Sequence, residues 1–435
     1  ERAMSAGERR LGILAGGGTL PREIADSAQR QGLPVAIVAI DSEADRDLIG
    51  PDVTRVNWGG IGGMIRALRQ ARVTDLVIVG HVHRPELGAL KPDLGFFRNL
   101  PRLLKIVASG GDDGVLRRVV RFFEQEGFRV IGPGEAAPEV VVREGAAGAV
   151  HASDRDRADI DTGLALIRAL GPYDIGQGVV IAGGRIEAIE GVEGTDRMIA
   201  RAAEARRGMQ DTPQGGVLVK RSKPEQDLRV DMPAIGPATV DRARAAGLSG
   251  IAVEAEHVLI AERTVTLQRA DAAGLFVEGV RDKAAVGAAP RRFKAHRVVR
   301  DLRPLGGAKP RRHSVRDAVK GLATVEALAR FGVGHTAVVV RNHVLAVEAD
   351  EGAEATVRRA EGLRQWASLT RRRRGVVVLR RAGALTEALV ALVARAGYAG
   401  IAIGDDAVAA SGSALAAAER EGLFVVTSPP QGDAP

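Results

Sequence analysis

The feature that most constrains this chain is that its C-terminal part repeats its middle part. Asp174-Ile175-Gly176-Gln177 and Ile186-Glu187-Ala188-Ile189-Glu190-Gly191-Val192-Glu193-Gly194 are echoed by Gly332-Val333-Gly334-His335 and Leu345-Ala346-Val347-Glu348-Ala349-Asp350-Glu351-Gly352. The offset is constant, since 334 − 176 = 158 and 352 − 194 = 158. Gly247-Leu248-Ser249-Gly250-Ile251-Ala252 returns as Gly397-Tyr398-Ala399-Gly400-Ile401-Ala402, and Gly274-Leu275-Phe276-Val277 as Gly422-Leu423-Phe424-Val425. Ordered self-similarity of this kind means one structural unit used twice. We read 150–282 and 313–435 as the two copies. Residues 283–312, rich in Arg, Lys, Pro and Gly and without periodicity, are read as a basic linker.

The part before the repeat is a different α/β unit, 10–135. Leu11–Ala15 is a short apolar run, Gly16-Gly17-Gly18 a turn, Pro21 fits a first helical turn, and Val35–Ile40 is a second apolar run ending at Asp41. Met64–Ala71 and Arg117–Gln125 read as helices, Leu76–Val79 and Phe128–Ile131 as strands. This alternation predicts a parallel sheet with flanking helices, a Rossmann-like domain. In the second unit, Ser153 or Asp154 caps a helix to about Leu170, and Gly183-Gly184 joins a hairpin. The fold class is therefore α/β throughout.

Composition narrows the chemistry. The 435 residues include no cysteine, so thiolate metal sites and disulfides are excluded and a metal must sit on carboxylates, His or carbonyls. No stretch approaches the roughly 18 apolar residues of a spanning helix. Glu1–Arg10 is charged and lacks the apolar centre of a signal peptide, so the expectation is a cytoplasmic chain. The formal net charge of +8 favours an anionic partner, or is a solvated Arg-rich surface. Nucleic acid is not expected: aromatics are 3% and the bases are interleaved with acids.

Several segments carry chemistry. Gly16-Gly17-Gly18, between strand and helix, is a phosphate cradle or a simple tight turn. Asp41 could accept from a ribose hydroxyl. Gly16-x-Gly18 lacks the third glycine of the dinucleotide fingerprint, which argues against a nicotinamide enzyme. After the strand at 76–79 come His81, His83 and Arg84, of which Arg84 is the better phosphate binder. Lys91 follows, and Asp112 and Asp113 either hold Mg²⁺ or cap a helix near Val115. Between Lys220 and Pro233 strong bases alternate with acids. If that segment is extended, Asp227, Arg229 and Asp231 project to one side. Acids that hold Mg²⁺ beside cations that neutralise phosphate oxygens suit metal-assisted phosphoryl transfer.

Taken in order, these segments resemble the LpxI-type UDP-2,3-diacylglucosamine pyrophosphatases of lipid A synthesis. The matching motifs are Leu14-Ala15-Gly16-Gly17-Gly18-Thr19-Leu20-Pro21, Arg84-Pro85, Leu90-Lys91-Pro92-Asp93, Gly111-Asp112-Asp113, Asp159-Ile160-Asp161, Asp174-Ile175-Gly176-Gln177-Gly178, Glu193-Gly194-Thr195-Asp196 and Lys223-Pro224. They continue with Gln226-Asp227, Arg229-Val230-Asp231-Met232-Pro233 and Ile235-Gly236, so the resemblance spans roughly 10–282.

The resemblance implies Mg²⁺-dependent hydrolysis to UMP and 2,3-diacylglucosamine 1-phosphate (lipid X), with water directed at the sugar-side phosphorus and substrate bound between two domains. It implies Asp231 as the first essential acid, with Asp196 and Glu193 positioning metal or water. Asp196, Asp227 and Asp231 are then the candidate metal ligands. Gly16, Gly17, Gly18, Leu20, Pro21 and Asp41 are assigned to the nucleotide. Arg84, Lys91, Asp112, Asp113, Gln177, Thr195, Lys223, Gln226 and Arg229 complete the substrate-binding set. Its lipid-bearing nucleotide sugar implies peripheral contact with the inner membrane, where Arg371–Arg374 either meet anionic headgroups or form a solvated loop.

The second copy departs from this pattern. Glu193-Gly194-Thr195-Asp196 becomes Glu351-Gly352-Ala353-Glu354, and Lys223–Asp231 has no counterpart between Leu379 and Leu389. The expectation is a catalytically dead domain that serves a homodimer or replaces the partner subunit as an internal pseudo-dimer. The alternative to an enzyme is a nucleotide-sugar-binding or scaffold protein.

Overall fold

A computed structural model describes residues 9–82, 93, 112–208, 215–223, 226–282, 293–295, 301–364, 374–404 and 410–428. The first domain is a parallel sheet of β1 (Leu11–Ala15), β2 (Val35–Ile40), β3 (Val53–Val56), β4 (Asp75–Val79) and β5 (Arg129–Val130) in the order β3-β2-β1-β4-β5. Strands β1 and β2 are buried along their whole length, which is why they read as unbroken apolar runs. Helices α1 (Leu20–Arg30), α2 (Ile61–Gln70) and α3 (Asp112–Gln125) flank the sheet. Pro21 sits in the first turn of α1, and Ile24, Ala25 and Ala28 form its buried face. Strand order reverses beside β1, so Gly16–Gly18 lie at the topological switch point, where ligands of open α/β sheets bind. Asp112 and Asp113 fall in the first turn of α3 rather than in a loop before it.

After the short helix α4 (Pro133–Ala136), the second domain is built on β6 (Gly145–Ala146), β7 (Gly178–Ala182), β8 (Arg185–Ile189), β9 (Val217–Lys220), β11 (Gly250–Glu254) and β13 (Phe276–Val280). Their order is β6-β13-β11-β9-β7-β8, with β9, β11 and β13 parallel and β6, β7 and β8 completing the sheet antiparallel. A separate pair, β10 (Ala234–Ile235) and β12 (Leu259–Ile260), lies outside it. Helices α5 (Asp154–Leu170), α6 (Thr195–Arg207), α7 (Pro237–Ala245) and α8 (Arg263–Ala272) complete the domain. Ser153 caps α5: Asp156 N–H donates to its hydroxyl at 3.3 Å and its own N–H donates to Asp156 Oδ2 at 2.9 Å.

The third domain repeats this plan strand for strand. Strands β14 (Arg303–Gly307), β15 (Thr336–Val340), β16 (His343–Val347), β17 (Val376–Leu379), β18 (Gly400–Ile403) and β19 (Phe424–Thr427) take the order β14-β19-β18-β17-β15-β16. Even the hairpin irregularity recurs, between Val180 and Ile181 in one sheet and Val338 and Val339 in the other. In each copy a helical Asp closes that hairpin. Asp159 accepts from Gly183 and Gly184 N–H at 2.8 and 2.6 Å, and Asp317 accepts from Arg341 and Asn342 N–H at 3.1 and 2.6 Å. Its helices are α9 (Arg312–Leu328), α10 (Ala353–Gly362), α11 (Glu387–Arg395) and α12 (Gly412–Arg420).

One expectation is corrected. The segment 283–312 is not wholly linker, because β14 lies inside it as an edge strand of the third sheet. Likewise β6 precedes residue 150. Both are short edge strands without an alternating apolar pattern, so neither announces itself in sequence.

The two copies pack on each other through α5 and α9: Ile160, Leu164 and Ile167 share one buried core with Ala318, Leu322 and Val325. Gly163 and Gly321 let these helices lie close to their own sheets, since a Cβ at either would run into Val219 or Val378.

Candidate active site

The carboxyl edge of the first sheet is shaped by backbone contacts. Gly16 N–H donates to Val79 O at 2.8 Å, and Gly17 and His81 exchange backbone hydrogen bonds at 2.9 and 3.0 Å. A Cβ on Gly16 would stand 2.6 Å from His81 O, and one on Gly17 2.7 Å from His81 Nε2. The glycines are therefore required for β1 to turn against the exit of β4, and His81 is the wall of that turn. Gly18, at φ +93°, gives its N–H to Asp45 Oδ1 at 3.3 Å, a side-chain partner that a phosphate oxygen can replace. Leu20 and Pro21 open α1 directly behind the turn. Asp41 emerges from β2 exposed and pairs with Arg55 at 3.4 Å.

The carboxyl edge of the second sheet carries the dense polar cluster. Lys220 ends β9, is 7% exposed, and donates to Ala234 O at 2.7 Å. Burial lowers its pKa, while the nearby Glu190 and Asp196 carboxylates work the other way. Glu190 is buried beside it; desolvation raises its pKa, and Thr195 Oγ1 donates to its Oε2 at 3.1 Å. Arg221 bridges Glu254 at 3.0 Å and Asp282 at 2.7 Å. Burial pushes Glu254 upward, but hydrogen bonds from His257 and Ser222 and the Arg221 charge leave its pKa lowered overall. Lys223 Nζ donates to Asp174 Oδ1 at 2.9 Å, and Lys223 N–H donates to Gln226 Oε1 at 2.8 Å. Gln177 joins the same edge, its carbonyl accepting from Arg221 N–H at 2.8 Å.

Residues 226–234 run on from this cluster. The extended case, in which Asp227, Arg229 and Asp231 would share one side, is not the one that forms. Asp227 O accepts from both Val230 and Asp231 N–H at 3.0 Å, so 227–231 is a tight turn. Its cause is local: the Asp227 carboxylate accepts from Arg229 Nε and Nη2 at 2.8 and 2.7 Å and from Arg229 N–H at 3.2 Å. Those bonds lower the Asp227 pKa. Arg229 also reaches Glu124 of α3 at 2.8 Å, and Gly132, just beyond β5, lies against the backbone of 228–229. Val230 packs into one first-domain core, and Met232 and Ala234 into another. Asp231 is thus held between two neighbours, Val230 and Met232, that are anchored in the first domain. On the far side, Glu23 of α1 accepts from Glu262 N–H at 3.0 Å, which ties the first domain to the start of α8.

The other expected residues are placed as follows. Glu193 is not in this cluster: its carboxylate is 4% exposed and accepts from Arg201 at 3.1 Å and from Arg359 of the third domain at 3.4 Å. Asp196 is exposed and pairs with Arg242 at 3.3 Å. The three proposed metal ligands do not converge; among the described residues no three acid or imidazole side chains form a metal-sized group. Arg84, Lys91 and His83 lie outside the described residues, as do the side chains of Asp112 and Asp113 and most of Arg371–Arg374. A cavity of about 320 Å³ between the domains includes Arg229 and Met232 in its lining, but none of Gly16–Gly18, Lys223 or Asp231. It is a neighbour of the cluster rather than its centre.

The internal copy separates what the fold needs from what the site needs. By register, Lys220 corresponds to Leu379, since each faces the first residue of its hairpin, Gly178 or Thr336. Thr195 corresponds to Ala353, Asp174 to Gly332, and Glu254 to Gly404. The long run 221–236 between β9 and α7 shrinks to 380–386 between β17 and α11. Asp159, Glu190, Glu193 and Arg201, by contrast, reappear as Asp317, Glu348, Glu351 and Arg359. Lys220, Glu190, Asp174 and Glu254 were not among the expected site residues. A lysine closing the otherwise apolar Val217–Val219, set against Leu379 in the repeat, is the signal that would have found the first of them.

The comparisons agree with this division. The family model described as the LpxI N-terminal domain matches residues 10–140, and that of the LpxI C-terminal domain matches twice, at 143–278 and 303–426. A protein of Caulobacter vibrioides named UDP-2,3-diacylglucosamine pyrophosphatase LpxI is 42% identical over 275 residues, which cover 62% of this chain and 98% of that protein. With both domain types matched over most of its length, this chain belongs to the LpxI family.

Proposed function

We propose that the chain hydrolyses the diphosphate of UDP-2,3-diacylglucosamine to UMP and 2,3-diacylglucosamine 1-phosphate. The observation that carries this reading is that the polar cluster of Lys220, Lys223 and Asp174 at the second sheet's carboxyl edge runs on into a turn, 227–231, that is anchored in the first domain by Glu124 and by the packing of Val230 and Met232. The glycine turn of the first domain suits a nucleotide phosphate at the start of α1. The polar cluster supplies cations for the remaining diphosphate charge. Lys223 and Arg229 are engaged by Asp174 and Asp227, and they exchange those carboxylates for phosphate oxygens when substrate enters.

In the reaction a water oxygen bonds to the sugar-side phosphorus, the bridging phosphorus–oxygen bond breaks, and its electron pair leaves on UMP. Asp231 accepts the proton from the water. Mg²⁺ is part of the proposal: Asp231 would hold it together with the substrate, and Asp227 would join once Arg229 turns from it to phosphate. When bound it neutralises charge on the diphosphate. The acyl chains require the substrate to be met at a membrane face, and none of the described helices is long and apolar enough to cross one. Contact is therefore proposed as peripheral, from the cytoplasmic side.

Hydrolysis in ¹⁸O-labelled water, with Mg²⁺ or with EDTA, tests this reading. We expect Mg²⁺-dependent release of unlabelled UMP, with the label in the sugar phosphate. Label in UMP would move the attack to the other phosphorus. Binding without turnover would favour a nucleotide-sugar-binding role.

A further inference from the structure

The loop 190–196 joins β8 to α6. Its two ends belong to the polar cluster, through Glu190 and Thr195, while its middle belongs to the interface with the third domain. Gly191 lies against the carbonyl of Leu345, and a Cβ there would stand 2.7 Å from that oxygen. Val192 packs against the third domain's core. Glu193 accepts from Arg359 at 3.4 Å, and Arg185, at the other end of β8, pairs with Asp350 at 3.2 Å.

The contacts between glutamates and arginines are reciprocal. Arg201 pairs with its own Glu193 and reaches Glu351 at 3.7 Å, while Arg359 pairs with its own Glu351 and reaches Glu193. Arg201 donates to Ile189 O and Arg359 to Val347 O, positions again 347 − 189 = 158 apart. Two carboxylates and two guanidiniums related in this way form the pattern of a two-fold, isologous interface made within one chain. The third domain keeps the residues this pairing needs and lacks Lys220, Thr195 and Asp174, which the site needs.

We infer that the third domain acts as a built-in partner subunit whose Arg359 is a positioning residue for the reaction. It holds Glu193 and so fixes the loop that presents Glu190 and Thr195 to Lys220. One chain then forms a complete two-fold core with one active site. The inference rests on the function proposed above.

The test uses the full chain and the variants Arg359→Met and Arg359→Lys. Light scattering reads the mass, hydrogen–deuterium exchange reads the amides of Val192–Asp196, and UMP release gives kcat and KM. We expect a single-chain mass for the wild type. Arg359→Met should exchange faster at those amides and lose about ten- to 100-fold in kcat, the scale of a small misplacement of reacting groups. KM should stay within about twofold, because transition-state rather than ground-state contacts are lost. Arg359→Lys should recover part of kcat. If Arg359→Met fails to fold, Glu351→Gln, which loosens Arg359 but leaves Glu193 paired to Arg201, must show the same changes.

Unchanged exchange in a folded variant overturns the inference, and so does loosening with wild-type kcat. A stable dimer built through residues 150–282 also overturns it. If the wild type releases no UMP, the functional reading fails by itself, and the exchange data still decide whether Arg359 braces the loop.

Discussion

At the scale of single residues, the pair Lys220 and Leu379 is the most informative contrast in the molecule. They hold the same place at the end of equivalent strands, so the fold accepts either side chain. Lys220→Leu is predicted to keep the circular dichroism of the wild type while lowering kcat at least about tenfold, because the Ala234 carbonyl loses its donor and the Asp231 turn its anchor. A folded variant with full activity would remove Lys220 from the site. Asp317 gives a pH prediction. Burial lifts its pKa from 3.8 to about 6, so the folded state binds more protons than the unfolded state between those values. Its stabilising contribution is therefore present below pH 3.8 and lost as pH rises through 6. Relative to Asp317→Asn, the wild type should lose up to about 3 kcal/mol of stability between pH 4 and pH 7, measured by denaturant unfolding; parallel profiles would contradict this. Sequence showed Asp231, Lys223 and Thr195 as site candidates because acids, bases and hydroxyls crowd there. It misassigned the surroundings of Glu193, because an acid beside a glycine turn looks the same whether it faces substrate or a neighbouring domain.

At the scale of elements, α6 and α10 form a natural control. Each begins after a glycine with positive φ, Gly194 at +85° and Gly352 at +81°, and in neither case would a Cβ meet another atom within 4 Å. Gly194→Ala and Gly352→Ala should each cost about 1–3 kcal/mol through backbone strain alone, since positive φ with ψ of 167° and 163° is a region held essentially by glycine, read by thermal or denaturant unfolding. Gly194→Ala should cost activity far more, since α6 opens with Thr195. Equal loss of activity in both would mean that strain, not the Thr195 end of the helix, governs the effect. The buried strands and amphipathic helices were legible because their periodicity is fixed by burial. The edge strands β6 and β14 were not: β6 has two residues, and β14, Arg-Pro-Leu-Gly-Gly, has neither an apolar run nor an alternation. The turn at 227–231 was hidden for another reason: alternating charges do not fix the backbone conformation, and the short Asp227–Arg229 pairing that folds it back on itself has no periodicity to show.

At the scale of the whole molecule, motifs repeated in the same order, the first of them at an offset of 158, already announced two copies of one domain. What it did not show was which faces meet. That depends on α5 lying against α9 and on four charges drawn from two helices and two loops, none of which reads as an interface in a linear chain. As proposed above, one LpxI-type active site lies between the first two domains, with the third braced behind it. The most direct test is UMP release from UDP-2,3-diacylglucosamine by the purified full chain with Mg²⁺, beside Asp231→Ala. The account predicts steady release by the wild type and a loss of at least about 100-fold in a folded Asp231→Ala variant; wild-type rates in that variant, or no release by the well-folded wild type, would contradict it.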